Sequence, residues 1–192
     1  MNKITYQNEL LRKSIHLFSS VLALILYIFG KNVIIYPLIF ITAIYITLDY
    51  LRKNTVLNNF YLKYFKIVTR EKEIMGKLTG ASYLLLGYTV TIFLFSETSA
   101  IISILIVSIS DSVAALVGRK YGMINIRNKT LEGTFSFFLS SIIIFLPFSF
   151  NYFHVFLICL VITIVEFFDD LLVDDNLVLP IVSGLLINLF LI

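Results

Sequence analysis

One carboxylate, Asp111, lies inside an apolar stretch of the sequence that is long enough to cross a membrane. An ionised Asp near the middle of a membrane helix costs about 2.5–3.5 kcal/mol on insertion scales, so it normally faces the protein interior with a cation or proton as its partner. Small residues follow at helical spacing and form a smooth face: Ala114, Ala115, Gly118 and Gly122. Such a face lets a ligand approach closely, or it is a helix-packing stripe with one buried polar group.

Four polar residues near the N-terminus share one helical face, because Glu9, Arg12, Lys13 and His16 follow at i, i+3, i+4 and i+7. Two cations and an imidazole at the membrane surface suit phosphate groups, and Glu9 is placed to hold Arg12. The alternative is an interfacial anchor that binds lipid headgroups. The sequence favours a phosphate site.

A second basic region follows the stretch around Asp111 and leads into the next apolar segment. Thr130 is expected to be the N-cap of that segment, which leaves backbone N–H groups in its first turn to face an anion, with Lys129 beside them. A glycine-containing loop that is capped in the usual way is the alternative. The residues expected to bind a nucleotide are Gly118, Arg119, Gly122, Thr130, Gly133 and His16. The sequence contains no Gly-x-x-x-x-Gly-Lys-Ser/Thr motif, which excludes a P-loop kinase.

Acidic residues cluster near the end of the chain, where no basic residue separates them: Glu166, Asp169, Asp170, Asp174 and Asp175. Their mutual repulsion favours a divalent cation or the basic groups as partners, and Glu166 and Asp175 are expected to face inward. Magnesium prefers such oxygen ligands and usually takes one or two carboxylates together with substrate phosphates. The predicted metal ligands are Asp111, Glu132 and Asp175.

Two further polar features lie around the second and third apolar segments. Asp49 and Arg52 are spaced as a local ion pair at i, i+3. The small and hydroxyl residues of Met75–Ala81 line a pocket or permit close packing, and the sequence does not choose between these two roles.

The elements that position these residues are membrane helices. Of the 192 residues, 59% are hydrophobic and 14% are charged, which excludes a soluble domain and predicts one all-α, polytopic membrane domain over residues 1–192. The expected spans are 14–30, 33–50, 78–96, 98–118, 131–150, 152–169 and 177–192, with an amphipathic surface helix over 55–75. The one cysteine, Cys159, is expected to be a packing residue, and the first apolar segment a retained helix instead of a signal peptide.

The distribution of charge predicts the orientation. Fourteen of the 15 Lys and Arg residues fall in the N-terminus and the loops after the second and fourth spans, and only Lys31 falls on the opposite side. The positive-inside rule then places the N-terminus in the cytosol and the C-terminus outside. All acids except Glu97 lie toward the same cytosolic side. This shared location of acids and cations indicates a site that opens to the cytosol.

Together these motifs resemble the CTP-dependent lipid kinase family, which includes dolichol kinase, phytol kinase and the yeast-type diacylglycerol kinase and is related to the CDP-diacylglycerol synthases. The matching pieces follow the family's order from residue 9 to residue 180: Glu9-x-x-Arg12-Lys13-x-x-His16, Thr79-Gly80-Ala81, Ser110-Asp111-x-x-Ala114-x-x-x-Gly118-Arg119-x-x-Gly122, Lys129-Thr130-x-Glu132-Gly133-Thr134 and Asp175-Asn176-Leu177-x-x-Pro180. The Pro-Gly-His-Gly-Gly segment typical of the cytidylyltransferase branch is absent, which favours the kinase branch.

The resemblance implies CTP as phosphoryl donor, a membrane alcohol (a polyprenol, a phytol-like prenol or diacylglycerol) as acceptor, and magnesium or a similar ion. It also implies that Arg12, Lys13, Asp111 and Gly118 matter for activity. No nucleic-acid partner is expected. The sequence does not name the acceptor. It allows a homo-oligomer but does not fix the oligomeric state.

Phosphoryl transfer depends on positioning and on charge neutralisation more than on covalent chemistry. The hypothesis is that Asp111, with Glu132 or Asp175, holds the metal on the nucleotide phosphates. The cations expected to neutralise the transferred group are Lys129, Arg12 and Lys13. Asp111 or a nearby carboxylate accepts the proton of the acceptor hydroxyl. Two alternatives are a CDP-lipid synthase, which releases pyrophosphate, and an ion-coupled transporter, since acids inside a membrane also mark ion pathways.

Overall fold

The computed structural model describes residues 6–52, 78–168 and 174–192, together with residues 58, 61 and 63. The first three helices are α1 (Tyr6–Phe18), α2 (Val21–Phe29) and α3 (Lys31–Leu51). They are followed by α4 (Gly80–Leu94), α5 (Glu97–Leu105), a π-helical turn (Ile106–Ser110) and α6 (Asp111–Tyr121). A short antiparallel hairpin of β1 (Asn125–Ile126) and β2 (Lys129–Thr130) leads into α7 (Leu131–Phe145), α8 (Tyr152–Phe167) and α9 (Asp175–Phe190).

The expectation of an all-α fold is confirmed, with the two-residue strands as a local addition. Within the described residues, three helical segments are long and apolar enough to cross a membrane: Tyr6–Phe29, Lys31–Leu51 and Glu97–Tyr121. The other four, α4, α7, α8 and α9, are apolar and shorter, at 15 or 16 residues each. The amphipathic helix expected over 55–75 lies almost entirely outside the described residues, as do Asp169 and Asp170.

The first helical segment differs from the expected span at 14–30. It begins at Tyr6 and turns at Ser19 and Ser20, between α1 and α2. The polar face that runs from Glu9 to His16 therefore belongs to the first candidate membrane helix itself. Its polar side chains are directed into the protein, and Glu9 and Lys13 are buried.

The segment from α5 through the π-helical turn to α6 lies at the centre of the molecule. The helices α2 and α9 pack on α5, and α1 and α7 pack on α6. Ile102, Ile104 and Ile106 are fully enclosed by these neighbours. Large apolar side chains on the outer helices are exposed, for example Tyr27, Tyr36 and Phe40, which suits contact with lipid.

Side-chain caps fix where five of the helices begin. In each case a short polar side chain accepts a hydrogen bond from a backbone N–H in the first turn, which satisfies one of the donors that a helix start leaves open. The capping residues are Thr79, Ser96, Thr130, Asn151 and Asp174. The sequence-based expectation that Thr130 caps its helix is therefore confirmed.

Candidate functional site

The Asp111 carboxylate lies at the start of α6 and faces α1, away from lipid. Its side chain is 10% exposed, and its Oδ2 atom accepts a hydrogen bond from the Lys13 ammonium and lies 3.1 Å from His16 Nε2. Lys13 is itself 4% exposed, so both members of this ion pair are withdrawn from solvent. The structure thus confirms the expectation that this acid faces the interior with a cation as its partner.

The π-helical turn directly before Asp111 was not foreseen, since the sequence predicted one continuous helix over 98–118. It interrupts the segment from Glu97 to Tyr121 at Ile106–Ser110. His16 Nε2 lies 3.0 Å from the Val107 carbonyl oxygen in this turn. Single π-helical turns within α-helices are frequent at functional sites. The turn therefore brings a backbone carbonyl and the Asp111 carboxylate to the same imidazole nitrogen.

The Glu9 carboxylate joins two guanidinium groups on different helices. Its Oε1 atom accepts a hydrogen bond from Arg12 Nη2, and its Oε2 atom lies 3.2 Å from Arg119 Nη2. The Glu9 side chain is 1% exposed, whereas Arg12 and Arg119 are 23% and 36% exposed. A buried anion thus holds two cations at the edge of the α1–α6 contact. The sequence anticipated the Arg12 half of this bridge and missed Arg119.

Lys129, on β2, is paired with Glu166 near the end of α8. Lys129 Nζ lies 2.6 Å from Glu166 Oε1 and also donates to the Glu166 backbone carbonyl. Glu166 is buried, as the sequence expected for an inward-facing acid. The sequence did not join the two residues, because they lie 37 positions apart and neither belongs to a recognisable local motif.

The residues expected to cradle a nucleotide at the α6–α7 contact pack on one another. A Cβ atom on Gly118 would lie 2.7 Å from Thr130 Oγ1, and one on Gly133 would lie 2.9 Å from the Ala114 carbonyl oxygen. A Cβ on Gly122 would lie 2.5 Å from Thr130 Cγ2. Close helix packing, one of the two roles considered for this small-residue face, is therefore present in the structure.

Two of the backbone N–H groups at the start of α7 are already engaged. Leu131 N donates to the Ile124 carbonyl oxygen at 3.0 Å, and Gly133 N donates to Thr130 Oγ1 at 3.2 Å. Glu132 Oε1 in turn accepts from Ile124 N at 3.2 Å. The carboxylate of Glu132, a predicted metal ligand, thus ties the hairpin to the helix start. The role of this helix terminus as an anion cradle stays a prediction.

A magnesium ion at this site would take its protein ligands from the acids near Lys13. No group of three or more His, Cys, Asp or Glu side chains that could hold a metal ion occurs among the described residues. Lys13 is ion-paired with Asp111 and also lies within electrostatic range of Asp175. Two carboxylates completed by substrate phosphates are a usual magnesium set. The pairing of Asp111 and Asp175 as such a set stays a prediction, and the Glu132 carboxylate accepts from Ile124 N.

Asp49 is the centre of a buried polar network that joins the end of α3 to the start of α4. Its Oδ1 atom lies 2.5 Å from Arg52 Nε, which confirms the local ion pair expected from the sequence. Its Oδ2 atom accepts from Thr79 N at 2.7 Å and from Ser82 Oγ at 2.5 Å. Thr79, from the Thr79-Gly80-Ala81 motif, thus anchors the start of α4 to the end of α3.

Comparison with known proteins finds relatives in three distant organisms. The chain is 34% identical over 180 residues to an uncharacterised protein of Rickettsia prowazekii, covering 88% of each chain. It is 34% identical over 189 residues to an uncharacterised protein of Methanocaldococcus jannaschii, covering 94% of this chain and 93% of the relative. It is 33% identical over 143 residues to the CTP-dependent diacylglycerol kinase 1 of Saccharomyces cerevisiae, covering 71% of this chain and 49% of that protein.

Other comparisons give no match. No family model matches the chain, and no solved structure matches it.

Proposed function

We propose that this chain, which belongs to the same family as the Rickettsia prowazekii and Methanocaldococcus jannaschii proteins, is a membrane-embedded kinase that uses CTP to phosphorylate the hydroxyl group of a lipid alcohol. The observation that carries the proposal is the buried Asp111 carboxylate with Lys13 and His16 against it. The similarity to the yeast CTP-dependent diacylglycerol kinase 1 supports the choice of donor and makes diacylglycerol the first acceptor to test. Polyprenols, dolichol and phytol-like prenols are the other acceptors.

The arrangement of charge suits phosphoryl transfer, which depends on holding phosphates and neutralising charge. Arg12 and Arg119 lie partly exposed with Glu9 between them, so their guanidinium groups are oriented before a ligand arrives. Asp111 and Arg119 are eight residues apart on α6, which is about 12 Å along a helix. We assign the binding of the nucleotide phosphates to Arg12 and Arg119.

Lys13 and Asp111 are assigned to the reacting centre. Asp111, together with Asp175, would hold a magnesium ion, which when bound supplies charge neutralisation on the phosphates. Lys13 stabilises negative charge on the transferred group, and Asp111 or a nearby carboxylate accepts the proton of the acceptor hydroxyl. Lys129, held by Glu166, adds a further cation beside the helix start at Thr130.

The seven-span topology and the cytosolic location of the site form part of the same proposal. Among the described residues, three long and four shorter apolar helices support a seven-span arrangement in a single membrane domain. The clustering of basic residues supports an orientation with the N-terminus in the cytosol and the C-terminus outside. In that orientation Lys13, Arg119 and Lys129 lie near the cytosolic membrane surface, where soluble CTP is available.

The deciding experiment follows the γ-phosphoryl group. Purified protein in lipid vesicles is incubated with Mg²⁺ and γ-labelled CTP or ATP, in the presence of diacylglycerol or one of a panel of prenols. The proposal expects label on the lipid, with CTP as the better donor, and no transfer by Asp111→Asn. Release of labelled pyrophosphate would instead indicate a CDP-lipid synthase. Solute uptake without any lipid product would indicate a transporter.

A matched control removes a histidine far from the site. His154 is exposed near the start of α8 and makes an edge contact with Phe153. We expect His154→Gln to transfer label as the wild-type protein does. Equal turnover by Asp111→Asn and the wild-type protein would remove Asp111 from the mechanism.

A further inference from the structure

We propose that His16 is a positioning residue: its Nε2–H group holds the π-helical turn and the Asp111 carboxylate in the orientation that phosphoryl transfer requires. This inference rests on the proposed kinase function and gives His16 a different role from the nucleotide contact that the sequence predicted. In this role His16 acts on the reaction through Asp111 and does not contact the substrate.

The first line of argument is the chemistry of the two atoms that meet His16 Nε2. The Val107 carbonyl oxygen lies 3.0 Å from it and Asp111 Oδ2 lies 3.1 Å from it. A carbonyl oxygen and an ionised carboxylate oxygen are both acceptors, so the nitrogen between them must carry a proton. The Nε2 atom therefore carries a proton and donates to both the Val107 carbonyl oxygen and Asp111 Oδ2.

The second line of argument is the backbone of the π-helical turn. Hydrogen bonds in a π-helix run from residue i+5 to residue i, so one such turn inside an α-helix leaves a carbonyl without its usual N–H partner. Val107 lies within the turn, and its carbonyl has the His16 imidazole as a donor. In a buried segment an unpaired carbonyl would cost free energy. His16 thus donates to a backbone carbonyl of the turn that directly precedes Asp111, the first residue of α6.

The third line of argument is how firmly His16 is held. Its side chain is 10% exposed and it lies one turn after Lys13 on α1. Its own carbonyl accepts a hydrogen bond from Ser19 Oγ at 2.6 Å, at the end of the helix. Hydrogen bonds thus hold His16 both at its backbone carbonyl and at its ring nitrogen. A side chain in this setting orients its neighbour and does not reach toward a nucleotide.

The donor state of Nε2 can be measured directly, because the chain contains only two histidines, His16 and His154. Protein labelled with ¹⁵N in histidine is reconstituted in vesicles, and His154→Gln assigns the signals. The inference expects Nε2 of His16 to be protonated in the wild-type protein. An unprotonated Nε2 would overturn it. This readout does not depend on catalytic activity.

Kinetics test whether the donor acts on catalysis through Asp111. His16→Leu removes the donor and keeps the bulk, whereas the side-chain amide of His16→Gln can donate from a similar place. We expect His16→Leu to lower kcat by about 10–100-fold, the range found when a partner of a reacting group is lost, with little change in KM for CTP. His16→Gln should recover most of that loss.

The outcomes separate this inference from the kinase function on which it rests. A raised KM for CTP at unchanged kcat in His16→Leu would mean that His16 binds the nucleotide, and the positioning role would be wrong. Loss of kcat in His16→Gln as large as in His16→Leu, with both proteins folded, would also overturn it. If the wild-type protein transfers no label to any acceptor, the proposed kinase function has failed, while the nitrogen spectra still decide the donor state.

Discussion

Lys13 and Asp111 form an ion pair in which neither side chain is more than 10% exposed, although they lie 98 positions apart in the sequence. Removing two charges from water is costly, and their attraction often does no more than offset that cost. Apolar residues at both positions would hold α1 against α6 without this penalty. We therefore attribute the buried Lys13–Asp111 pair to a role in the reaction and not to a gain in folding stability.

Replacing Lys13 by Met should damage the protein in two ways. The Asp111 carboxylate would be left buried without its cation, a change that typically costs about 3–5 kcal/mol of stability. Phosphoryl transfer should be lost as well. Unfolding followed in detergent gives the stability, and the γ-label assay gives the activity. Wild-type stability in Lys13→Met would contradict the buried pairing.

The double variant Lys13→Met with Asp111→Asn separates the two effects. Removing both charges takes away the unpaired carboxylate, so we expect most of the lost stability to return. Activity should not return, because the groups assigned to the reacting centre are gone. If the double variant transferred label, neither residue would be needed for catalysis.

Local features of the site could be predicted from the sequence because they depend on helical spacing. The face from Glu9 to His16, the Thr130 cap and the pair of Asp49 with Arg52 all involve residues within one or two turns. Periodicity and capping rules act over this range. The interior location of Asp111 was also predictable, since lipid does not tolerate an ionised carboxylate without a partner.

The long-range partners could not be predicted in the same way. Nothing in the sequence distinguishes Arg119 from its neighbour Lys120 as the second partner of Glu9, or Glu166 from the nearby acids as the partner of Lys129. These choices depend on the way α6 and α8 are rotated in the packed structure. The π-helical turn was missed because the residues that form it, Ile106–Ser110, have an ordinary apolar pattern.

Glu9→Gln tests whether the buried carboxylate orients Arg12 and Arg119 for a nucleotide. The amide keeps the shape of the side chain but loses the charge that holds both guanidinium groups. We expect KM for CTP to rise about 3–10-fold, equivalent to roughly 0.7–1.4 kcal/mol, with a smaller effect on kcat. Steady-state kinetics in vesicles measures both quantities.

Arg127→Asn is the matched control for this change. Arg127 is an exposed loop cation with φ of 58°, a backbone conformation that Asn tolerates well. It removes one charge from the hairpin that follows α6 without touching Glu9. We expect KM for CTP to stay unchanged. Glu9→Gln removes a negative charge and Arg127→Asn a positive one, so an effect of overall charge would move the two KM values in opposite directions. A fall in KM for Glu9→Gln with a rise for Arg127→Asn would mean that overall charge, and not the Glu9 bridge, governs nucleotide affinity.

Gly118→Ala distinguishes helix packing from close approach of a ligand. The added Cβ would lie 2.7 Å from Thr130 Oγ1, so α6 and α7 must separate or the Thr130 cap must shift. We expect a loss of about 1–3 kcal/mol in the free energy of unfolding, as for other overpacked sites. A variant with wild-type stability that no longer bound CTP would show that the glycine serves the ligand instead.

Lys129 and Glu166 should behave as one unit if Glu166 acts by holding the Lys129 ammonium. We expect both Lys129→Met and Glu166→Gln to lower kcat/KM, and the double variant to be no worse than Lys129→Met alone. The coupling free energy should be about 0.5–3 kcal/mol, the range for residues in direct contact. Strictly additive effects would mean that Glu166 has a role of its own.

The topology can be tested across α7, which at 15 residues is one of the shorter apolar helices. Asn125 in the hairpin before it and Ser149 after it are both exposed, and the proposed orientation places them on opposite sides of the membrane. The one native cysteine, Cys159, is buried, so the wild-type protein should react little with a membrane-impermeant maleimide. We expect Ser149→Cys to be labelled in intact cells and Asn125→Cys only after permeabilisation. Labelling of both from the same side would mean that α7 does not span the membrane, and the seven-span arrangement would be wrong.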